Sequence, residues 1–544
     1  MKKRILLVNE ASFLSTGYAT YGLELMKRLH ASNKYELCEL ACYAKHGDQM
    51  AADIPWKWKS AMPVNEQERE IYYSNHANEF GEMKFEETCL EFKPDFVISF
   101  RDPWMDSFIR WSPFRPFYYW VWMPTVDAMP QHKEWIELYA NANAIFTYSD
   151  WGLEVLRKQC GSSVNALTSA PAGADFDSFQ LIQDKGQHRQ KMGIDPDAFI
   201  VGTVMRNQRR KLYPDLMESF ALFLKTAPAD IANKTFLYLH TSWPDLGWDI
   251  PHLISEYGIG HKTLFTYFCK NCGCSFPSFF QDSMAVCRRC NHFTATFPNS
   301  SVGVTRRTLS DIMNLWDCYV QYSCSEGLGM PQIEAAACGL PVFSVDYSAM
   351  ADVVRKLNGF PIKVQRFFRE PETHRQLALP NNEDFVIKLT NFLSLPEPIR
   401  KKRGFESRRL AEKHYNWDET AEKWMGVFDS VNTVGHELTW NSPKRTFVPN
   451  QNVPKNLSNE QFVCWGLTNM AGRPDLIGTH FASRIVRDLN WGMKVGERGG
   501  RYFDDLSTLG NRPMKQDFVR ENAVEIFLNL VNKQNKWESR RIES

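Results

Sequence analysis

Nowhere in the 544-residue sequence is there a run of the ~20 consecutive apolar residues that a membrane-spanning helix needs. The opening Met1-Lys2-Lys3-Arg4, then Ile5–Val8, begins like a secretory leader. Asn9 and Glu10 end the apolar run before an h-region can form, so a buried first strand is expected instead. Surplus charge is missing as well. The formal net charge is +1, too little to coat nucleic acid nonspecifically, so any such contact must be a local patch. Internal repeats and low-complexity tracts are absent. So is a disulfide framework. The 13 cysteines are an odd number, and only two Cys-x-x-Cys pairs stand out, which points to a reducing cytoplasm and one metal site.

What is present is an ordinary globular composition, 43% hydrophobic, on a chain long enough for two large domains and an extension. The first part alternates strand and helix patterns. Arg4–Asn9, Tyr35–Cys42, Asp95–Phe100, Phe117–Met123 and Ala144–Ser149 read as strands, with helical pieces to about Leu29 and over Phe85–Phe92. Such alternation predicts a parallel sheet with helices on both faces. Pro171-Ala172-Gly173-Ala174-Asp175 punctuates the chain. A second alternation follows, with strands Phe199–Met205, Thr235–Thr241, Leu264–Phe268, Tyr319–Ser323 and Pro341–Asp346. Its helices are expected near 214–225, Leu309–Trp316, Pro331–Cys338, Glu383–Leu393 and Trp417–Val431. The expected units are therefore 1–175 and 176–435, a linker over 436–460 rich in Pro, Asn and Ser, and an extension over 461–544.

The run Ser323-Cys324-Ser325-Glu326-Gly327-Leu328-Gly329-Met330-Pro331-Gln332-Ile333-Glu334 carries the chemistry. A strand ends, two glycines turn the chain, and a proline suits the first turn of a helix. Open α/β sheets bind ligands at the carboxyl ends of their strands. A helix start there, with free amides and a positive dipole end, favours a diphosphate. Carboxylates beside an anion site make electrostatic sense when they grip hydroxyls.

Glu326 and Glu334, with seven residues between them and Cys338-Gly339-Leu340-Pro341-Val342 following, resemble the E-x7-E signature of retaining, family-4-like GT-B glycosyltransferases. The resemblance extends to Arg206 and Lys211, which have the spacing of that family's diphosphate-binding Arg and Lys. It also covers Gly17 in the first strand–helix loop and Pro171–Asp175 at the crossover. It spans about residues 4–435. It implies an α/β fold of two Rossmann-like domains facing a cleft, and a nucleoside-diphosphate sugar donor, most commonly a UDP-sugar. Arg206, Lys211 and the amides around Gly327, Leu328 and Gly329 would then hold the diphosphate, Glu326 the sugar and Glu334 the ribose, with no catalytic metal. Where the family often has a histidine, this chain has Pro124-Thr125-Val126-Asp127. Asp127 is therefore a candidate to bind acceptor hydroxyls or take the acceptor proton, and a turn cap is its ordinary reading. Asp102, also just past a strand, is a second candidate for which a turn role is the ordinary reading. Arg209 and Arg210 read as bystanders.

Cys269, Cys272, Cys287 and Cys290 form two knuckles that can close tetrahedrally on a structural zinc, an inserted ribbon over 266–300. Cys274 and His292 are substitute ligands. The ribbon also carries Lys270, Arg288, Arg289 and the aromatics Phe276, Phe279, Phe280 and Phe293, a mixture that suits either a self-packed small domain or stacked bases and phosphates. The acceptor stays open. A hydroxymethylated base in DNA is the leading expectation, because the chain resembles bacteriophage DNA-modifying glycosyltransferases, which would place it in a host cytoplasm. A protein, a surface polysaccharide, and a non-catalytic nucleotide-sugar binding module are the alternatives.

Overall fold

A computed structural model describes residues 2–432 except 75–78, 113, 300–301 and 372, then 454 and 457–486 except 480 and 484, with isolated positions between 524 and 535. The first sheet is wholly parallel. Its strands are β1 (Lys3–Glu10), β2 (Tyr35–Cys42), β3 (Lys57–Ser60), β4 (Phe96–Ser99), β5 (Tyr119–Trp122), β6 (Ala144–Thr147) and β7 (Ala166–Ser169), in the order β3-β2-β1-β4-β5-β6-β7. Ile5, Leu6, Leu7 and Val8 are fully buried, so the opening apolar run is a central strand with both faces covered. The strand order reverses between β1 and β4.

The second sheet contains β8 (Phe199–Val204), β9 (Thr235–His240), β10 (Thr263–Cys269), β11 (Ser275–Phe279), β12 (Met284–Val286), β13 (Phe293–Thr296), β14 (Cys318–Gln321), β15 (Val342–Val345) and β16 (Phe360–Ile362). Its order is β12-β13-β10-β9-β8-β14-β15-β16, with β11 also on β10. The reversal lies between β8 and β14. Gly202 in β8 is required there, since a Cβ would sit 1.9 Å from the buried Trp316 ring. A separate antiparallel hairpin, β17 (Val364–Arg369) and β18 (Gln376–Pro380), follows β16.

The cysteine-bearing insert extends the sheet itself. β10 pairs in parallel with β9 through Thr263–Phe265 and antiparallel with β11 and β13 towards Cys269. Phe276 is buried and Phe280 half-buried in an aromatic group with Tyr267, Phe265, Phe297 and Trp243, whereas Phe279 and Phe293 are exposed. Arg288 folds over the Phe276 ring at 5.5 Å.

Two expectations shift. The helix read from Leu309 begins at Arg306, because Thr305 caps it, its hydroxyl accepting from the Thr308 amide. Helix Trp417–Ser430, read with the second unit, packs on the first sheet. Trp424 is fully buried against Phe100 and Phe146, and its indole donates to the Tyr21 hydroxyl at 2.9 Å. The chain therefore crosses between the two sheets twice, at Ala170–Asp175 and again at Tyr415–Trp417. These strands touch: the Ala174 amide donates to the Tyr415 carbonyl at 3.0 Å, and a Cβ on Gly173 would lie 2.6 Å from the Trp417 nitrogen.

The expected linker lies almost wholly outside the described residues. Beyond it, helix Asn459–Asn469 is closed by a Ser458–Gln461 capping box and joins an apolar cluster of its own with Phe481, Ile485 and Phe527. No helix among the described residues is long and apolar enough to cross a membrane.

Candidate active site

Both chemistry-bearing loops of the second sheet leave its switch point, where open α/β sheets place ligands. Residues 205–212 follow β8 and residues 322–329 follow β14, and an isolated bridge joins Lys211 to Ser323. Gly329 adopts the left-handed conformation (φ +80°) that a side chain disfavours, and turns the chain into helix Met330–Ala337.

Glu326 is 5% exposed. Its carboxylate accepts from the Lys211 ammonium, from the Arg210 guanidinium at 2.8 Å and from the Gln321 amide at 2.8 Å, while its backbone amide donates to Ser348 Oγ at 3.0 Å. Burial alone would raise this carboxyl; Arg210 and Lys211 together bring it down to about 2. A carboxylate has about four lone-pair sites, so three donors leave room for about one ligand hydroxyl. Lys211 is buried. Desolvation and the adjacent guanidinium bring its ammonium down to about 8 in spite of Glu326.

The expected cation pair is thus split. Lys211 sits under Glu326, whereas Arg206 is half-exposed and forms a two-pronged bond with Asp245, at 2.9 and 3.1 Å. Burial raises the carboxyl of the first sheet's Glu10, opposed by its hydrogen bond from Thr16 and by the charges of Arg101 and Arg206. Arg210, read as a bystander, is the residue that reaches Glu326. The loop's bridge to Ser323 decides which cation points inward, and nothing in the local sequence marks that. Glu334, one helical turn into the helix, is half-buried and makes no hydrogen bond through its carboxylate among the described residues. Burial pushes it up to about 7, opposed by Arg306. Arg306 itself links Glu24 of the first helix, at 2.7 Å, to Asp175 of the crossover, at 3.2 Å.

From the first sheet, Gly17 opens helix Gly17–Ala31 behind the cap Thr16, with open space beside it. A cavity of about 220 Å³ separates the two sheets' switch points. Its lining includes Tyr18, Asp102, Thr125 and Asp127 on one side and Arg210, Gly327 and Arg375 on the other. Asp127 accepts from Arg375 and from Ser325 Oγ (3.2 Å), both across the cleft. Arg375 comes from the turn of the β17–β18 hairpin, and the Gln376 amide is tied to the Met129 carbonyl at 2.8 Å. Sequence reasoning missed Arg375, which carries no motif. Leu328 is buried, so only its backbone faces a ligand.

The Sγ atoms of Cys269, Cys272, Cys287 and Cys290 lie within 4.8 Å of one another. The 269–290 and 272–287 separations, both 3.6 Å, are close to the edge of about 3.8 Å that a tetrahedral zinc–thiolate centre requires. After each knuckle the chain turns through a left-handed residue, Gly273 (φ +69°) and Asn291 (φ +58°). The donor set fits zinc, with four sulfur ligands and no open position. Cys274 Sγ is 3.4 Å from Cys272 and 3.3 Å from Cys287, beside the set; Lys270, Arg289 and His292 are exposed.

Residues 302–378 match the family described as glycosyl transferases group 1; the match includes Glu326, Glu334 and Arg375. No curated protein matches the chain. Among solved structures, sucrose-phosphate synthase from Thermosynechococcus elongatus is similar at 15% identity and a TM-score of 0.57, covering 79% of this chain and 98% of that one. Anabaena HepE in complex with UDP and glucose is similar at 13% identity and a TM-score of 0.54, covering 79% and 100%. WaaG, a glycosyltransferase involved in lipopolysaccharide biosynthesis, gives 14%, 0.51, 79% and 100%. The chain has the GT-B fold, with a segment matching glycosyl transferases group 1 at the second sheet's switch point, and together these support a glycosyltransferase.

Proposed function

We propose that the protein transfers a sugar from a nucleoside-diphosphate sugar, UDP-linked, to an acceptor hydroxyl with retention of anomeric configuration. One observation carries the reading. The buried pair Glu326 and Lys211, joined by the more exposed Arg210, forms one charge cluster directly before the Gly327–Gly329 turn, and that turn faces the first sheet's switch point across a cavity. The diphosphate lies on the amides that open helix Met330–Ala337, countered by Lys211, whose ammonium has three protons to share, and by Arg206 at the rim. Glu326 accepts from a hydroxyl of the donor sugar and Glu334 from the ribose. Asp127 joins the two halves around the donor. Departure of the diphosphate leaves an oxocarbenium-like sugar, and the acceptor attacks from the same face, passing its proton to the leaving phosphate oxygen. The protein supplies orientation and charge stabilisation.

For the acceptor, a hydroxymethylated base in DNA is favoured by the ribbon's exposed Phe293, Lys270, Arg289 and His292, an aromatic and basic set suited to nucleic acid. The ribbon's zinc is structural.

Incubation with UDP-sugars tests the donor half. UDP release is expected, slow without acceptor, and Glu326→Ala should reduce it at least ~10²-fold. Near-wild-type release in that variant would remove Glu326 from its role. Nuclear magnetic resonance of the product's anomeric proton decides retention. A mass increment on hydroxymethylated DNA decides the acceptor, and label found only on protein or glycan overturns the DNA reading.

A further inference from the structure

The cavity holds two carboxylates that differ in their partners. Asp127 is engaged by Arg375 and Ser325. Asp102 forms no ion pair among the described residues. Its Oδ1 accepts from the Tyr18 hydroxyl at 3.0 Å, and that hydroxyl is also 2.7 Å from Thr125 Oγ1. Thr125 in turn backs onto the donor-side turn, since a Cβ on Gly327 would lie 2.7 Å from its Cγ2. Tyr18 follows β1 and Asp102 follows β4, the two strands flanking the first sheet's reversal. The pair therefore occupies the first sheet's own ligand position, opposite that of the second.

We infer that Asp102, oriented by Tyr18 and Thr125, is the carboxylate that binds the acceptor's hydroxyl, in a pocket that admits one uncharged, ring-sized group between Trp104 and Trp135. The inference rests on the sugar-transfer reading and names its acceptor-side residue. A carboxylate without a cation is satisfied best by O–H donors. The cations in the wall are already paired, Arg375 with Asp127 and Glu370 and Arg210, together with Lys211, with Glu326, so an anionic group would meet Asp102 with no cation of its own in contact. At about 220 Å³ the space is smaller than the ~300–1,000 Å³ of a typical ligand site, and fits a single ring rather than a nucleotide. Trp104 and Trp135 supply apolar walls, with the Arg375 guanidinium 5.1 Å from the Trp135 ring centre.

The groups that face Asp102 set its titration. Burial and then the Asp127 charge raise its carboxyl; hydrogen bonds from Tyr18 and Thr125 and the charge of Arg210 lower it. Tyr139, Tyr148 and Arg375 lie within its field. Hydroxyl binding by the ionised form is thus lost as pH falls through a raised value.

The test uses the full chain with saturating UDP and two probes, methyl α-glucoside and 5-hydroxymethyl-2′-deoxycytidine, titrated between pH 4 and 8. One of them is expected to bind and so to identify the source of the hydroxyl. Asp102→Asn should keep its affinity for UDP, lose at least ~10-fold in affinity for that probe, and lose the acid limb. Tyr18→Phe is the second variant. It leaves the carboxylate in place and, with one lowering hydrogen bond gone, should move the acid limb to higher pH, which general damage would not do. Binding of neither probe, or equal binding and an unchanged acid limb in both variants, overturns the inference. Failure of the wild type to release UDP from any UDP-sugar would overturn the transfer reading instead, and the titrations report on Asp102 independently of it.

Discussion

The Lys211 ammonium is buried against the Glu326 carboxylate, yet the two groups are shifted to opposite effect: Glu326 is held ionised down to about 2, while Lys211 gives up its proton from about 8. If the charged lysine serves the diphosphate, kcat/KM for the donor falls on an alkaline limb near pH 8. Lys211→Arg, charged throughout, should remove that limb even if turnover drops ~10-fold or more. Stability moves the other way. The unfolded lysine keeps its proton to about 10.4. Between about 8 and that value the unfolded chain binds more protons, so this group's contribution makes stability rise with pH. Denaturant midpoints of wild type and Lys211→Met across pH 7.5–10 measure the difference.

Glu334 predicts the acid side. Raised to about 7 by burial, it is largely protonated below that pH and then a poorer acceptor for a ribose hydroxyl. UDP affinity measured by calorimetry should strengthen from pH 6 to 8 in the wild type. In Glu334→Gln the same titration should be flat and weaker throughout.

Gly327 has no room for a side chain because Thr125 Cγ2 stands across the cleft. Gly327→Ala should cost about 1–3 kcal/mol as overpacking or open the cleft by a few tenths of an ångström, with donor turnover down ~10-fold or more. Adding Thr125→Ser removes the offending methyl and keeps the hydroxyl on Tyr18. Recovery of most turnover in the double variant is the expected result, and no recovery would place the damage elsewhere.

The ribbon should carry one zinc per chain. Cys269→Ser and Cys287→Ser should lose the metal and lower the melting temperature, because β10 belongs to both the ribbon and the main sheet. Cys274→Ser should retain it in spite of the short sulfur separations, its thiol lying beside the set. Metal content by mass spectrometry, read with thermal unfolding, distinguishes the two classes.

The parts of the fold and site legible in the sequence are those set by local chemistry. The buried runs of β1, β8 and β14, the Gly-x-Gly-Met-Pro turn and the knuckle spacing all announce themselves, since each depends on neighbours within a few residues. Other parts depend on meetings far apart in the chain. Arg210 rather than Arg206 reaches Glu326 because Lys211 bridges Ser323. Arg375 reaches Asp127 over a separation of 248 residues. Asp102 reads in the sequence as a turn aspartate, and only the fold brings Tyr18, 84 positions earlier, onto it. The apolar pattern places the start of helix Arg306–Met313 three residues late, because the cap at Thr305 sets it.

Two passages of the chain, through Ala174 and through Tyr415, run side by side between the halves and are bonded to each other. A body joined by a single strand can swivel freely; one joined by two adjacent strands swings like a door on paired pins. A hinge so built would confine any opening of the cleft to a narrow arc, and closure would return Gly327 to Thr125 and Asp127 to Arg375 in the same register.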